Sequence, residues 1–362
     1  MRIERCKRKT LLLTTAVLLA GARPYSVSAD DSGLAVNVAV DIVGSLASRG
    51  ANANEAHIRP REAEIAFYGP IDHIFDGTLV LAAHQEGGKA FFEIHEAFLG
   101  SSKLIPNTRV RLGQFFLGVG KLNSTHRHDW PFVAAPAVQR NFFGAEGISD
   151  SGIEFAAHLP VSHPIELTAG ITQGWTFGHS HDAGKKPKVP THYASISTFL
   201  NLPLNGGLQA TLNSMGRTDS EENKMTLIGL DSTLKWRRGK TIPFLIQSEV
   251  WWRSIEPRGE RSSQAIGFYL YPQINIAEDL YFGTLFDQYE PTNLIDLTGQ
   301  KVTQRSTSWT PTITWRPSEF STFRFNYSWQ LETNHNVKNK LRQAFFQFQS
   351  TFILGAHPAH DF

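Results

Sequence analysis

Two His-x-His pairs carry the most direct chemical potential in this 362-residue chain: His126 and His128 in NSTHRHDW, and His179 and His181 in GHSHD. Imidazole is the commonest metal-ligating side chain at neutral pH. In an extended chain, residues i and i+2 point the same way, so each pair can chelate an ion such as Zn²⁺. Both pairs fall in predicted connectors on one side of the molecule, where they could converge. No carboxylate or cysteine signature accompanies either pair, and His-x-His in a loop is also an ordinary solvated feature. His357 and His360 lie at the opposite end and should not share that site. Covalent chemistry has less to stand on: Ser and His are plentiful, but no G-x-S-x-G elbow occurs, so no enzyme is expected. Zn²⁺ is the single cofactor candidate.

The elements that must position these residues show a period of two. In WTPTITW, Trp309, Pro311, Ile313 and Trp315 lie on one side of an extended chain, and Thr310, Thr312 and Thr314 on the other. Phe323, Phe325, Tyr327, Trp329 and Leu331 oppose Arg324, Asn326, Ser328 and Gln330. Ile228, Leu230, Leu234 and Trp236 oppose Gly229, Asp231, Thr233 and Lys235. Such segments recur about sixteen times, over 35–46, 58–69, 74–85, 90–100, 107–117, 151–159, 164–177, 191–202, 206–216, 224–236, 242–254, 264–274, 278–289, 303–316, 320–332 and 341–354. In 90–100 the facing is ambiguous, because Glu96 falls on the apolar parity.

Even-numbered segments end in tight turns such as Gly69-Pro70 and Arg238-Gly239-Lys240. Odd-numbered ones end in connectors that are often longer, such as 118–150, 178–190 and 290–302. An outer-membrane β-barrel has that asymmetry between its two ends. Its tryptophan side would then face lipid and its threonine side the interior. Trp309 and Trp315, roughly 20 Å apart along a strand, would sit near the two borders of the apolar band. Pro311 removes one ladder hydrogen bond from that strand. The fold expected is all-β: a transmembrane antiparallel barrel of about sixteen strands with a long third external loop. A soluble sandwich or β-helix is the competing architecture, and a plugged 22-stranded receptor needs a longer chain.

Residues 1–29, MRIERCKRKTLLLTTAVLLAGARPYSVSA, combine a basic start, an apolar run and a Val27-Ser28-Ala29 exit, as a secretory signal peptide does. Its removal takes six of the 35 Lys and Arg and one of the 33 Asp and Glu. That leaves 29 against 32 and argues against a nucleic-acid partner. Cys6 leaves with it, so no disulfide framework is expected. Residues 30–362 then form the barrel, with 355–362 as a C-terminal tail.

The stretch 107–154 resembles Gram-negative outer-membrane porins of the phosphate-selective O/P-like group. Arg111, Gly113, Gln114, Phe115 and Gly118 stand for that group's R-x-G-Q-F strand and turn, and Gly147 and Gly152 for the Gly-led strand after its long loop. EIHEAFLG, Glu93 to Gly100, resembles another of its strands. The group's usual turn proline is absent, with Phe116-Leu117-Gly118 in its place. The His-rich NSTHRHDW and GAHPAHDF are similar to less characterised zinc-linked outer-membrane proteins.

The resemblance implies a sixteen-stranded, trimeric, passive channel for small hydrophilic solutes, embedded in outer-membrane lipid. It also implies that 118–150 folds into the barrel as a constriction. Candidates there are His126, Arg127, His128, Asp129, Arg140 and Glu146. By parity, Asp41, Glu62, Glu64, Arg109, Arg111 and Glu154 line the lumen, with Asp231, Lys235, Glu249, Arg253, Arg316 and Arg324. Both signs are present, which suits a weakly selective pore. Phe362 resembles the aromatic terminus that outer-membrane proteins present to the barrel assembly machinery. The alternatives are a zinc-linked channel working through the loop histidines and an outer-membrane enzyme or structural barrel.

Overall fold

The computed structural model describes residues 33–49, 56–86, 89–175, 185–293, 304–334 and 339–355. The expected signal peptide, His179, His181, His357, His360 and tail residues 356–362 lie outside the described residues.

Sixteen antiparallel strands close into one barrel. The first eight are β1 (Ala35–Arg49), β2 (Ala56–Pro70), β3 (Asp76–Glu86), β4 (Lys89–Ser101), β5 (Thr108–Phe116), β6 (Ser149–His158), β7 (Ile165–Thr172) and β8 (Val189–Leu202). The rest are β9 (Gly206–Thr218), β10 (Lys224–Arg238), β11 (Thr241–Glu256), β12 (Ser263–Ala277), β13 (Leu280–Pro291), β14 (Gln304–Ser318), β15 (Ser321–Asn334) and β16 (Asn339–Gly355). Each strand pairs with its neighbours in sequence, and β1 closes on β16 from Asn37↔Gly355 to Arg49↔Ala344. Closure leaves no unpaired edge, which a sheet surrounded by hydrocarbon requires. No helix among the described residues is long and apolar enough to cross a membrane.

The two faces separate as the alternation predicts. Trp309 and Trp315 are 50% and 47% exposed on the outside, whereas Thr310, Thr312 and Thr314 are buried inside. Trp309 stacks on Trp329 at 5.0 Å, and Trp315 on Phe323 at 5.2 Å. Such an aromatic pair contributes about 0.5–1.5 kcal/mol. Trp309→Ala is therefore expected to lower the unfolding free energy by that amount in detergent or liposomes, with the barrel still forming. A urea titration followed by tryptophan fluorescence measures it.

At Pro311 the β14–β15 ladder skips from Trp309↔Trp329 to Thr312↔Asn326. Inside the gap Thr310 Oγ1 donates to Ser328 Oγ at 2.9 Å. A hydroxyl pair on the inner face thus bridges the interval left by the missing amide donor.

The turns at one end are short and built from local chemistry. In the β2–β3 turn, Asp72 Oδ1 accepts the amides of Ile74 and Phe75 at 2.7 and 2.8 Å. These two donors hold its carboxyl below the usual carboxylate range. β7 stops at Thr172 instead of running to 177. Gly174, with φ +75°, turns the chain there, and its amide donates to Asp150 Oδ2.

Two register shifts change what faces inward. Between Asp41↔Glu62 and Ile42↔Pro60, Arg61 is an extra residue of β2. Between Val80↔Glu96 and Leu81↔Ile94, His95 is an extra residue of β4. A bulge puts two consecutive residues out of strict alternation. Arg61 and Glu62 are both buried, and so are His95 and Glu96. The ambiguous facing of 90–100 is this bulge.

Residues 117–148 turn into the barrel and carry one 3-10 turn (Arg127–Asp129) and one short helix, α1 (Ala137–Phe142). Trp130, Phe132, Val138, Phe142 and Phe143 of this loop pack with Met215, Leu227, Trp251, Tyr269, Tyr271 and Leu285 of the inner wall in one apolar cluster. The interior is therefore divided: the inward faces of β1–β6 and β14–β16 are largely polar, while those of β9–β13 combine an apolar seat for the loop with buried polar residues such as Asn213, Glu249 and Asp287.

Candidate functional site

Wall carboxylates hold the loop by its main chain. Glu154 Oε2 of β6 accepts the Gly118 amide at 3.2 Å. Glu249 Oε1 of β11 accepts the Leu122 amide at 2.8 Å, and Asp287 Oδ1 of β13 accepts that of Ala137 at 2.9 Å. Asn213 of β9 accepts the Gly120 amide at 3.1 Å while donating to Asp231 Oδ2 at 2.7 Å. From the cationic side, Arg61 donates to Val133 O at 2.5 Å and Arg253 to Asn141 O at 2.6 Å. The loop's two ends are tied together by Asn123, which donates to Leu117 O and accepts from the Ile148 amide.

The residues expected in the lumen all lie on inward positions, with distinct surroundings. Asp41 sits on the closing seam, where it accepts Arg61 Nε at 2.6 Å, Gln349 at 3.0 Å and Thr351 at 3.2 Å. Arg324 donates to Gln349 at 2.8 Å, extending that network to β15. Arg111 donates to Glu154 at 2.9 Å and covers the Phe115 ring at 4.4 Å. Tyr193 donates to the other oxygen of Glu154 at 2.7 Å. Arg253 lies 4.8 Å from the Phe142 ring centre, and Arg316 5.7 Å from that of Tyr281. Lys235 of β10 is buried and Arg109 of β5 half-buried.

Of the loop candidates, His126, Arg127, His128 and Glu146 meet the β2–β4 wall, Asp129 pairs with His128 beside it, and Arg140 lies elsewhere. His126 Nδ1 lies 2.9 Å from Glu64 Oε1, and its Nε2 3.1 Å from Glu96 Oε2. Burial pulls this imidazole down, but the two carboxylates outweigh it and hold His126 well above the ordinary imidazole range. His128 Nδ1 is 3.3 Å from Glu64 Oε2, and its Nε2 3.7 Å from Asp129. Arg127 and Glu146 pair at 3.3 Å. Arg140 lies across the lumen, donating to Ala135 O beside a cleft lined by Asp287, Ser308, Thr310, Asn326 and Ser328.

The His126/His128 pair has no carboxylate signature beside it in the sequence, but the fold brings Glu64 and Glu96 to it from strands distant in sequence, where a local motif search cannot see them. Four partners were not among the site residues expected from the sequence. His84 of β3 and Glu93, His95 and Glu96 of β4 complete the group, with His95 Nδ1 at 2.6 Å from Glu64 and Nε2 at 3.0 Å from Glu93. The signal was present as Glu93-x-His95, the same i, i+2 spacing as Glu62-x-Glu64.

With a closed sixteen-stranded barrel and an inserted loop established, comparison with known proteins decides the family. The family model described as "Putative beta-barrel porin-2, OmpL-like" matches residues 146–357. The chain belongs to this family. This porin is 26% identical over 333 residues to an uncharacterised protein of Aquifex aeolicus (strain VF5), a match covering 83% of this chain and 69% of that one. In fold it is similar to the anion-selective porin of Comamonas acidovorans, with a TM-score of 0.63 at 10% identity over 90% of this chain and 100% of that one. The outer-membrane channel DcaP of Acinetobacter baumannii gives 0.62 at 9% identity over 89% and 97%. OmpT of Vibrio cholerae, solved in a trimer form, gives 0.59 at 9% identity over 90% and 100%. The protein is a porin of the Gram-negative outer membrane, a channel for small solutes.

Proposed function

We propose that residues 117–148 form the constriction of this channel and that small hydrophilic solutes pass beside the loop by diffusion, with no covalent step. One observation carries the reading: the loop enters the barrel and its backbone amides are bound by Glu154, Glu249 and Asp287 on separated strands. A segment fixed in this way narrows the lumen instead of screening its mouth. Lumen charges of both signs favour weak selectivity.

Three copies are expected to associate, in keeping with the trimer form of the similar Vibrio cholerae protein, with the outer tryptophans toward lipid. Phe362 is the proposed signal to the assembly machinery, and residues 1–29 the proposed export signal.

In a planar bilayer the purified barrel should give discrete current steps. Hydrogen bonds to charged acceptors contribute about 1.5–3 kcal/mol each. The double variant Glu249→Leu/Asp287→Leu should therefore loosen the loop and give larger, noisier steps. Native step size and noise in that variant would remove the loop from the conducting path.

A further inference from the structure

We infer that His84, Glu93, His95 and Glu146 form a binding site for a divalent transition-metal cation of the Zn²⁺ class inside the barrel. It is a site on the strand wall, different from the loop His-x-His pairs. One ligand atom from each of the four lies within 4.8 Å of the others. A tetrahedral ion with bonds of about 2.0–2.2 Å holds its ligand atoms about 3.4 Å apart, so side-chain rotation of under about an ångström per ligand closes the set.

Three of the four ligands are on paired strands. His84 faces Phe91 across the β3–β4 ladder, and Glu93 and His95 follow at alternate positions on the same strand. Glu93 Oε1 already stands between the two imidazoles, 3.3 Å from His84 Nδ1 and 3.0 Å from His95 Nε2. Two imidazoles with two carboxylates are a donor set that Zn²⁺ accepts and that a hard ion such as Mg²⁺ does not favour.

The site does not stand alone. Glu64, His95 and His126 form an adjoining group, and Glu62, Glu64 and His128 a third. His95 and Glu64 are shared, so the three positions run in a row from the wall to the loop. Glu62, only 4% exposed, keeps its Oε2 without a hydrogen-bond partner. A buried carboxylate oxygen in that condition is costly unless a proton or cation meets it. The neighbouring guanidiniums are largely committed elsewhere, Arg61 to Asp41 and Arg111 to Glu154. Arg127 pairs with Glu146 through one carboxylate oxygen, Oε1, at 3.3 Å. Because Glu146 closes the loop while His84, Glu93 and His95 belong to the wall, a bound ion staples one to the other.

The test uses the folded, detergent-solubilised porin, stripped with EDTA and titrated calorimetrically with Zn²⁺ alone, then with Mg²⁺ alone. Saturable Zn²⁺ binding is expected, with no response to Mg²⁺. His84→Gln and Glu93→Gln should each weaken it roughly tenfold or more, and the double variant His179→Ala/His181→Ala should leave it unchanged. Heat-modifiable gel mobility shows that each variant is folded. Should His84→Gln fail that check, the partly exposed Glu93→Gln decides the matter. X-ray absorption of the Zn²⁺-loaded native protein should show mixed nitrogen and oxygen ligation. Absence of saturable binding, binding indifferent to both wall substitutions, or binding lost only with the His179/His181 variant overturns the assignment. Current steps recorded in EDTA report on the channel separately, so a failed metal site leaves the porin reading standing.

Discussion

Glu154→Leu is expected to lower the stability of the barrel by about 3–5 kcal/mol, the range for removing one partner of a buried ion pair. Glu154 is almost wholly buried and serves three donors at once: the Arg111 guanidinium, the Tyr193 hydroxyl and the Gly118 amide. Leucine leaves Arg111 charged and enclosed, with the Phe116 carbonyl at 3.2 Å and the Glu96 carboxylate at 4.0 Å as its remaining partners. It also frees the Gly118 amide near the start of the inserted loop. The double variant Arg111→Met/Glu154→Leu should recover much of the loss, because the uncompensated charge is then gone. Urea unfolding in liposomes of the native, single and double variants makes that comparison. Equal stability of the native and Glu154→Leu proteins would show that the pair and its loop contact contribute nothing.

Gly113→Ala should prevent formation of the heat-stable folded barrel. Gly113 has φ +136°, in a region that residues with a Cβ rarely adopt. Its missing side chain also faces backbone: a Cβ would lie 2.2 Å from the Ala97 carbonyl oxygen and 2.7 Å from the Phe98 Cα. Strained backbone alone costs about 1–3 kcal/mol, and here β4 would have to move away as well. Gly152, opposite Gly113 on β6, is equally tight, with a Cβ position 2.2 Å from the Ile171 carbonyl oxygen. Folded and unfolded bands on an unheated gel distinguish the outcomes. A native yield of folded Gly113→Ala would refute the steric argument.

These two positions show what the chain disclosed before folding. Gly113 and Arg111 stood out in a motif because they serve local strand geometry. The sixteen alternating segments were legible because lipid on one side and a partly polar interior on the other impose a strict period of two. Arg61, His95 and the true facing of Glu96 were hidden, since a bulge shifts parity by one residue without any local mark in the sequence. The acid–histidine group was hidden for a different reason. Its members come from β2, β3, β4 and both ends of the inserted loop, so spacing along the chain says nothing of their meeting. The apolar seat of the loop was also missed, because Met215, Leu227, Trp251 and Tyr269 look like ordinary strand residues until a second segment packs over them.

The inner wall grips the inserted segment in two ways, by its peptide groups and by an apolar seat that takes Trp130, Phe132, Phe142 and Phe143. The half-buried stretch from Ser124 to Asp129 lies outside that seat and is open to rewriting, while the aromatic residues that fill the seat must stay. A single barrel of this kind can serve as a common frame for several filters, each differing in a few amino acids and none requiring a new scaffold.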